Sequence, residues 1–246
     1  MMQRRVRLGM LTPSSNTVVE PVTSAMVADL RGVTAHFGRF KVTEIALSAE
    51  ARGQFEIEPI LQAAALLADA KVDVIAWNGT SAGWLGFEAD RRLCERITAA
   101  TGIPATSSVL ALVEIFERTG VERFGLVTPY TDDVQAKTVA NFGASGFACA
   151  AERHLGIRVN YDFSEVTAEQ ITAMTRAVAA AGKPQAITTF CTNLWAAPLV
   201  DQLEREIGIP IYDTLATAVW KSLAIAGVDA TQLKGWGRLF ALPAAA

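Results

Sequence analysis

The chain repeats itself, and the repeat constrains the fold more than any single motif. Arg7-Leu-Gly-Met-Leu-Thr-Pro-Ser-Ser-Asn16 runs parallel to Arg123-Phe-Gly-Leu-Val-Thr-Pro-Tyr-Thr-Asp132. Later in each half, Ala100-Thr-Gly-Ile-Pro-Ala105 is echoed by Glu206-Ile-Gly-Ile-Pro-Ile211. Between them, Val72-Asp-Val-Ile-Ala-Trp-Asn-Gly-Thr-Ser81 and Gln185-Ala-Ile-Thr-Thr-Phe-Cys-Thr-Asn193 are both short β-rich apolar runs ending in a small residue and a hydroxyl residue. Self-similarity of this kind means one supersecondary unit used twice.

Within each copy, strand-like runs alternate with helical patterns. Strands are expected over Val6 to Leu11, Val33 to Phe40, Val72 to Trp77 and Ile187 to Phe190, with another inside Ala148 to Val159. Helices are expected over Val18 to Leu30, Glu58 to Asp69, Glu88 to Thr101, Val109 to Arg118, Asp133 to Phe142 and Ala168 to Ala181. Gly102 followed by Pro104 is a helix stop. Alternation of this sort builds parallel βαβ units. The expected fold is therefore α/β, with two pseudo-symmetric Rossmann-like (flavodoxin-like) lobes, each a parallel sheet, and a site in the cleft between them. The first lobe is placed at residues 1–118 and the second at 119–214. Residues 215–246 form a helix and tail expected to pack back on the first lobe.

Composition narrows the function classes. A chain of 246 residues with 51% hydrophobic content can bury a sizeable core. Charged residues make up 19% and the net charge is -3, so there is no electrostatic footprint for nucleic acid. The apolar run around Leu61 to Ala68 is too short to span a bilayer, and the basic N-terminus leads into a strand and not an apolar signal segment. Three cysteines without metal-ligand spacing suit a reducing compartment. A cytoplasmic protein with no membrane or nucleic-acid partner is expected; a homo-oligomer is left open.

Ligands of open α/β sheets bind outside the carboxyl ends of the strands, so the residues there are the candidates for chemistry. Cys191 follows a strand and is expected just before a helix, where free amides would lower the pKa of a thiol and fit it for proton transfer or nucleophilic attack. The commoner fate of a free cysteine is a small buried hydrophobe, which is the reading preferred for Cys94 and Cys149. Gly79, Thr80 and Ser81 make a turn whose hydroxyls and amides can hold a carboxylate or enolate oxygen, or simply cap a helix. Tyr130 and Thr131 stand where the first copy has Ser14 and Ser15, and a tyrosine there is an oxyanion donor. Asn16 can orient a carboxylate or serve as a helix cap. His36 and His154 look isolated, which supports neither a metal cluster nor a Ser–His pair. No Gly-x-Gly-x-x-Gly or Walker pattern follows a strand, so no nucleotide cofactor is expected. Trp84, Phe87 and Trp195 are near the cleft in sequence and are assigned to core or interface.

Taken in order, Thr12-Pro-Ser-Ser-Asn-Thr17, Gly79-Thr-Ser81, Thr128-Pro-Tyr-Thr-Asp-Asp133, Leu155-Gly156 with Asn160, Cys191-Thr-Asn193 and Gly237-Arg-Leu-Phe240 resemble the aspartate/glutamate racemase superfamily, in the branch of the arylmalonate decarboxylases and maleate cis-trans isomerases. The resemblance covers nearly the whole chain. It implies cofactor-independent carbon-acid chemistry on a small carboxylic or dicarboxylic acid, without metal. Racemases and isomerases of the superfamily carry a cysteine at each lobe's strand end; here the first is Gly79, as in the decarboxylases. The resemblance therefore implies decarboxylation of a malonate-like acid. Cys191 would be the proton donor, Thr80, Ser81 and Tyr130 the oxyanion donors, and Asn16, Gly79, Thr131, Asn160 and Thr192 substrate-binding residues. Asn16 and Asn160 instead look like the carboxylate-binding asparagines of the isomerases, which keeps an isomerase or racemase-like activity as the alternative. A catalytically silent small-molecule sensor is the third.

Overall fold

The computed structural model describes residues 5–48 and 53–242. Its frame is two four-stranded parallel sheets. The first comprises β1 (Val6–Pro13), β2 (Val33–Phe40), β3 (Val74–Trp77) and β4 (Ala105–Ser107), ordered β2-β1-β3-β4. The second comprises β5 (Arg123–Val127), β6 (Ala148–Arg153), β7 (Ala186–Thr189) and β8 (Ile211–Asp213), ordered β6-β5-β7-β8. Identical strand order is the structural form of the sequence repeat. The central strands are buried almost throughout, as expected of parallel strands covered on both faces.

Helices connect and cover the strands: α1 (Val19–Val27), α2 (Ile57–Asp69), a single turn α3 (Ala82–Leu85), α4 (Phe87–Thr101) and α5 (Ser108–Thr119) in the first half. In the second half come α6 (Asp132–Ala144), α7 (Ala168–Gly182), α8 (Val200–Ile207) and α9 (Thr214–Ile225). The single turn α3 and helix α8 have no counterpart among the expected elements; the others agree to within a few residues, except that β4 and β8 carry no strand expectation. Each has three residues after an Ile-Pro pair, too short to show alternation.

One large hydrophobic core spans both lobes, and a smaller cluster around Val178, Ile187 and Leu203 lies within the second. Helix α9 packs on α5, with the Thr217 hydroxyl donating to the Ser108 carbonyl at 2.8 Å and the Arg118 guanidinium lying over the Trp220 ring. Glu204 is buried; its carboxylate accepts from the amides of Ile211 and Arg238, both at 2.7 Å, and so fixes the tail against the second lobe. Among the described residues no helix is long and apolar enough to cross a membrane.

Candidate active site

In each sheet the strand order reverses direction between the first and third strands, and an open α/β sheet has its crevice outside the carboxyl ends at that point. In the first lobe these ends are Thr12 to Asn16 after β1 and Gly79 to Ser81 after β3. In the second they are Thr128 to Thr131 after β5 and Cys191 to Asn193 after β7. The four ends meet. Pro13, Gly79, Thr80, Ser81, Tyr130, Asn160, Cys191 and Thr192 line one chamber, walled by the aromatic side chains of Phe55, Trp77, Trp84 and Phe163. Its free volume is about 20 Å³, close to the room of one water.

Hydrogen bonds across the lobe boundary set this geometry. The Asn193 carboxamide accepts from the Thr17 amide at 3.0 Å and donates to the Asn160 carbonyl at 2.6 Å. Asn160 donates to the Ser15 hydroxyl at 2.7 Å, and Thr192 donates to the Asn78 carbonyl at 3.1 Å. The Tyr130 and Thr80 hydroxyls are hydrogen-bonded to each other, joining the second lobe's turn to the first's. All of these side chains except those of Ser15 and Thr17 belong to buried residues, where each paired group avoids a desolvation penalty of about 1–3 kcal/mol.

Cys191 is 3% exposed, and burial pushes its thiol up to about 12, against the opposing hydrogen bonds of the Asn193 amide and the Tyr130 hydroxyl. This corrects the expectation of a lowered thiol pKa. The chain after Cys191 turns instead of entering a helix, and the next regular helix begins only at Val200. Cys191 is thus a neutral S–H at ordinary pH. Tyr130 is likewise held protonated by burial, reinforced by the neighbouring Cys191.

Opposite Cys191, the equivalent position of the first lobe is Gly79, two residues past its strand in each case. A β-carbon at Gly79 would lie 1.9 Å from Cζ2 of Trp77 and 2.4 Å from its Cε2. The indole fills the space a second side chain would need. Its Nε1 has no hydrogen-bond partner among the described residues, nor has that of Trp84. Buried donors of this kind are rare, and both residues line the chamber.

The remaining expected residues fall into two groups. Thr80, Ser81, Tyr130, Gly79, Asn160, Cys191 and Thr192 are brought together. Asn16 stands just behind them: its Oδ1 accepts from the amides of Val18 and Val19, both at 2.9 Å, capping α1, while its Nδ2 reaches Thr192. Thr131 lies outside the chamber, with its hydroxyl donating to Asp133 at 2.6 Å. Trp84 walls the chamber; Phe87 packs edge-on against Phe142 in the core, and Trp195 is on the surface. Trp77, Phe55 and Phe163 were not legible as site residues, since buried aromatics in apolar runs read as core. His154 is not isolated: Glu152 and Asp132 each lie 2.8 Å from one of its ring nitrogens. Among the described residues no group of three or more His, Cys, Asp or Glu side chains could hold a metal ion.

Paired parallel lobes with one thiol and several hydroxyl donors converging on a closed chamber define the aspartate/glutamate racemase-like class of enzymes. Within it, the model of the arylmalonate decarboxylase family matches residues 8–240, and the chain belongs to that family. It is 27% identical over 235 residues to an arylmalonate decarboxylase from Bordetella bronchiseptica, covering 95% of each chain. It is also 27% identical over 226 residues to a maleate isomerase from Nocardia farcinica, covering 88% of each. A solved structure of the Nocardia farcinica maleate cis-trans isomerase, a cysteine-to-serine variant with a covalently bound succinylcysteine intermediate, superposes with a TM-score of 0.87 at 25% identity, covering 96% of this chain and 98% of that one. The chain is an enzyme of the lyase or isomerase kind that these relatives represent.

Proposed function

We propose that the protein decarboxylates a malonate-like or other small dicarboxylic acid without a cofactor, using Cys191 as the proton donor. The observation that carries this reading is the single neutral thiol facing a glycine whose side-chain space is filled by Trp77. Addition of sulfur to a double bond needs a thiolate, which a thiol pushed up to about 12 scarcely supplies. Two-base racemisation needs a second acid–base group on the other face of the carbon, and Gly79 offers none. A neutral S–H on one face suits one task, delivery of a proton to a carbanion.

One carboxylate would be held by the hydroxyls of Thr80, Ser81 and Tyr130, with the unpartnered indole N–H groups of Trp77 and Trp84 as further donors. The bond from the α-carbon to the other carboxylate breaks, its electron pair entering an enediolate as carbon dioxide leaves. The same donors stabilise the charge that develops on the enediolate oxygens. The Cys191 proton then passes to the α-carbon, and the thiolate left behind is reprotonated by solvent. The aromatic wall excludes water from the carboxylate that departs, which favours its loss.

The alternative, cis-trans isomerisation of a small dicarboxylate, is favoured by Asn160 in the chamber wall and by the maleate isomerase relatives. Proton NMR of the purified protein with a panel of substituted malonates and maleate separates the two by carbon count. Loss of one carboxyl group, absent in Cys191→Ala, is the expected result. Conversion of maleate to fumarate with no malonate consumed would replace this reading by the alternative.

A further inference from the structure

A second cavity, open to solvent on one side, adjoins the first. It has a volume of about 190 Å³, and Phe55, Trp77 and Ser81 line both chambers, forming the partition between them. Its other walls include the apolar side chains of Ile60 and Leu93 and the carboxyl group of Asp90. Asp90 is 2% exposed. Ser107 hydrogen-bonds its carboxyl group, but Oδ2 has no partner among the described residues. An acceptor that is buried and unpaired costs about 1–3 kcal/mol or more, and its place in a cavity wall provides a use for it. Burial also pushes Asp90 up to about 7, against the Ser107 hydrogen bond.

The helix position alone does not explain this group. Asp90 lies in the first turn of α4, where an acid is ordinarily a solvated partner of free amides. Here it is turned inward beside a cavity several times the volume of a water.

We propose that this second cavity is the specificity pocket for the non-reacting arm of the substrate, with Trp77 as its partition and Asp90 accepting a hydrogen bond from a hydroxyl or amino group at the arm's end. This rests on the reading that Thr80, Ser81 and Tyr130 hold a carboxylate. The preferred acid then carries a short, mostly apolar chain of a few heavy atoms ending in a donor. An arm ending in a second carboxylate would instead be drawn to Arg92, which also borders this cavity.

Calorimetric titration of the full chain with unreactive carboxylic acids tests this apart from any turnover. The probes are propanoate, hexanoate, 5-hydroxypentanoate and hexanedioate. The hydroxy acid is expected to bind about tenfold or more tightly than hexanoate, the size of a hydrogen bond to a charged or half-charged acceptor. That preference should vanish in Asp90→Leu and persist in Asp90→Asn, which keeps an acceptor oxygen. Leu85→Trp, at the exposed rim of the cavity, should lose both long acids relative to propanoate, and serves should Asp90→Leu not fold. Equal affinity for hexanoate and the hydroxy acid, or tighter binding of hexanedioate, overturns the proposal. If propanoate binds but neither longer acid gains over it, the arm pocket fails while the carboxylate cradle stands. If propanoate does not bind at all, both readings fall.

Discussion

The two strand ends that meet in the chamber began as copies of one another and are now built for opposite tasks. At the end of β7 the polar side chains are used: Thr188 donates to the Tyr212 carbonyl at 2.8 Å, and Thr189 to Asp213 at 2.7 Å. At the end of β3 the corresponding positions hold Ala76 and Trp77, and among the described residues Trp77 Nε1 and Asn78 Oδ1 are left without partners. A satisfied network rigidifies its members, so the second lobe presents Cys191 at a fixed place. The first lobe presents unpaired donors and a filled glycine site, which suits a ligand-holding wall. Duplication supplied the symmetric frame; the chemistry depends on breaking the symmetry.

The largest effect expected from disturbing this contrast is on the thiol side. Cys191→Ala should lower kcat by about a thousandfold, in the range for removing a positioned general acid, with the fold unchanged by circular dichroism. Tyr130→Phe should cost about a hundredfold in kcat/KM, because the proposed oxyanion donor, buried and hydrogen-bonded to Thr80, is lost. On the glycine side the effect is first on stability. Gly79→Cys should destabilise the protein by about 1–3 kcal/mol in a denaturant titration, as overpacking against Trp77 does. Trp77→Leu added to it should recover most of the loss; if Gly79→Cys alone is as stable as the parent, the indole is not the obstacle described.

The smallest effect lies outside the chamber, at His154. The ring of His154 is partly buried, which lowers its pKa, but hydrogen bonds to Glu152 and Asp132 outweigh this and leave it raised. A raised folded value means that protonation favours the fold. The contribution is fully present below the unfolded value of 6.5 and is lost as pH rises through the higher folded value. For a solvent-screened pair this amounts to a few tenths of a kcal/mol. It should appear as a slightly steeper fall of Tm above neutrality in the parent than in His154→Gln, and equal slopes would contradict it.

Much of the frame was legible because it depends on local patterns. The Thr-Pro turns, the Gly-Ile-Pro breaks and the β-rich runs each mark an element by their own composition, and the repeat doubles every mark. Cys191, Thr80, Ser81 and Tyr130 were legible for the same reason, since strand-end positions in α/β sheets can be counted off. Trp77 was not, because an inward aromatic at the end of a buried strand looks the same whether it fills a core or walls a chamber. The protonation of Cys191 was not legible either: it depends on burial and on the turn after β7, and neither is fixed by the residues beside it. Asp90 reads in sequence as an ordinary first-turn acid, and only the packing of α4 against β4 and the cavity shows that it points inward.

In the proposed mechanism one neutral thiol delivers a proton to one face of an enediolate. The deciding experiment runs the reaction in D2O on a prochiral malonate carrying two different alkyl groups at C2 and examines the product by NMR and chiral chromatography. The expected product is a single enantiomer of the monoacid with one deuterium at the α-carbon, formed by the parent and not by Cys191→Ala. A racemic deuterated product, or the same enantiomer formed at full rate without Cys191, would contradict it.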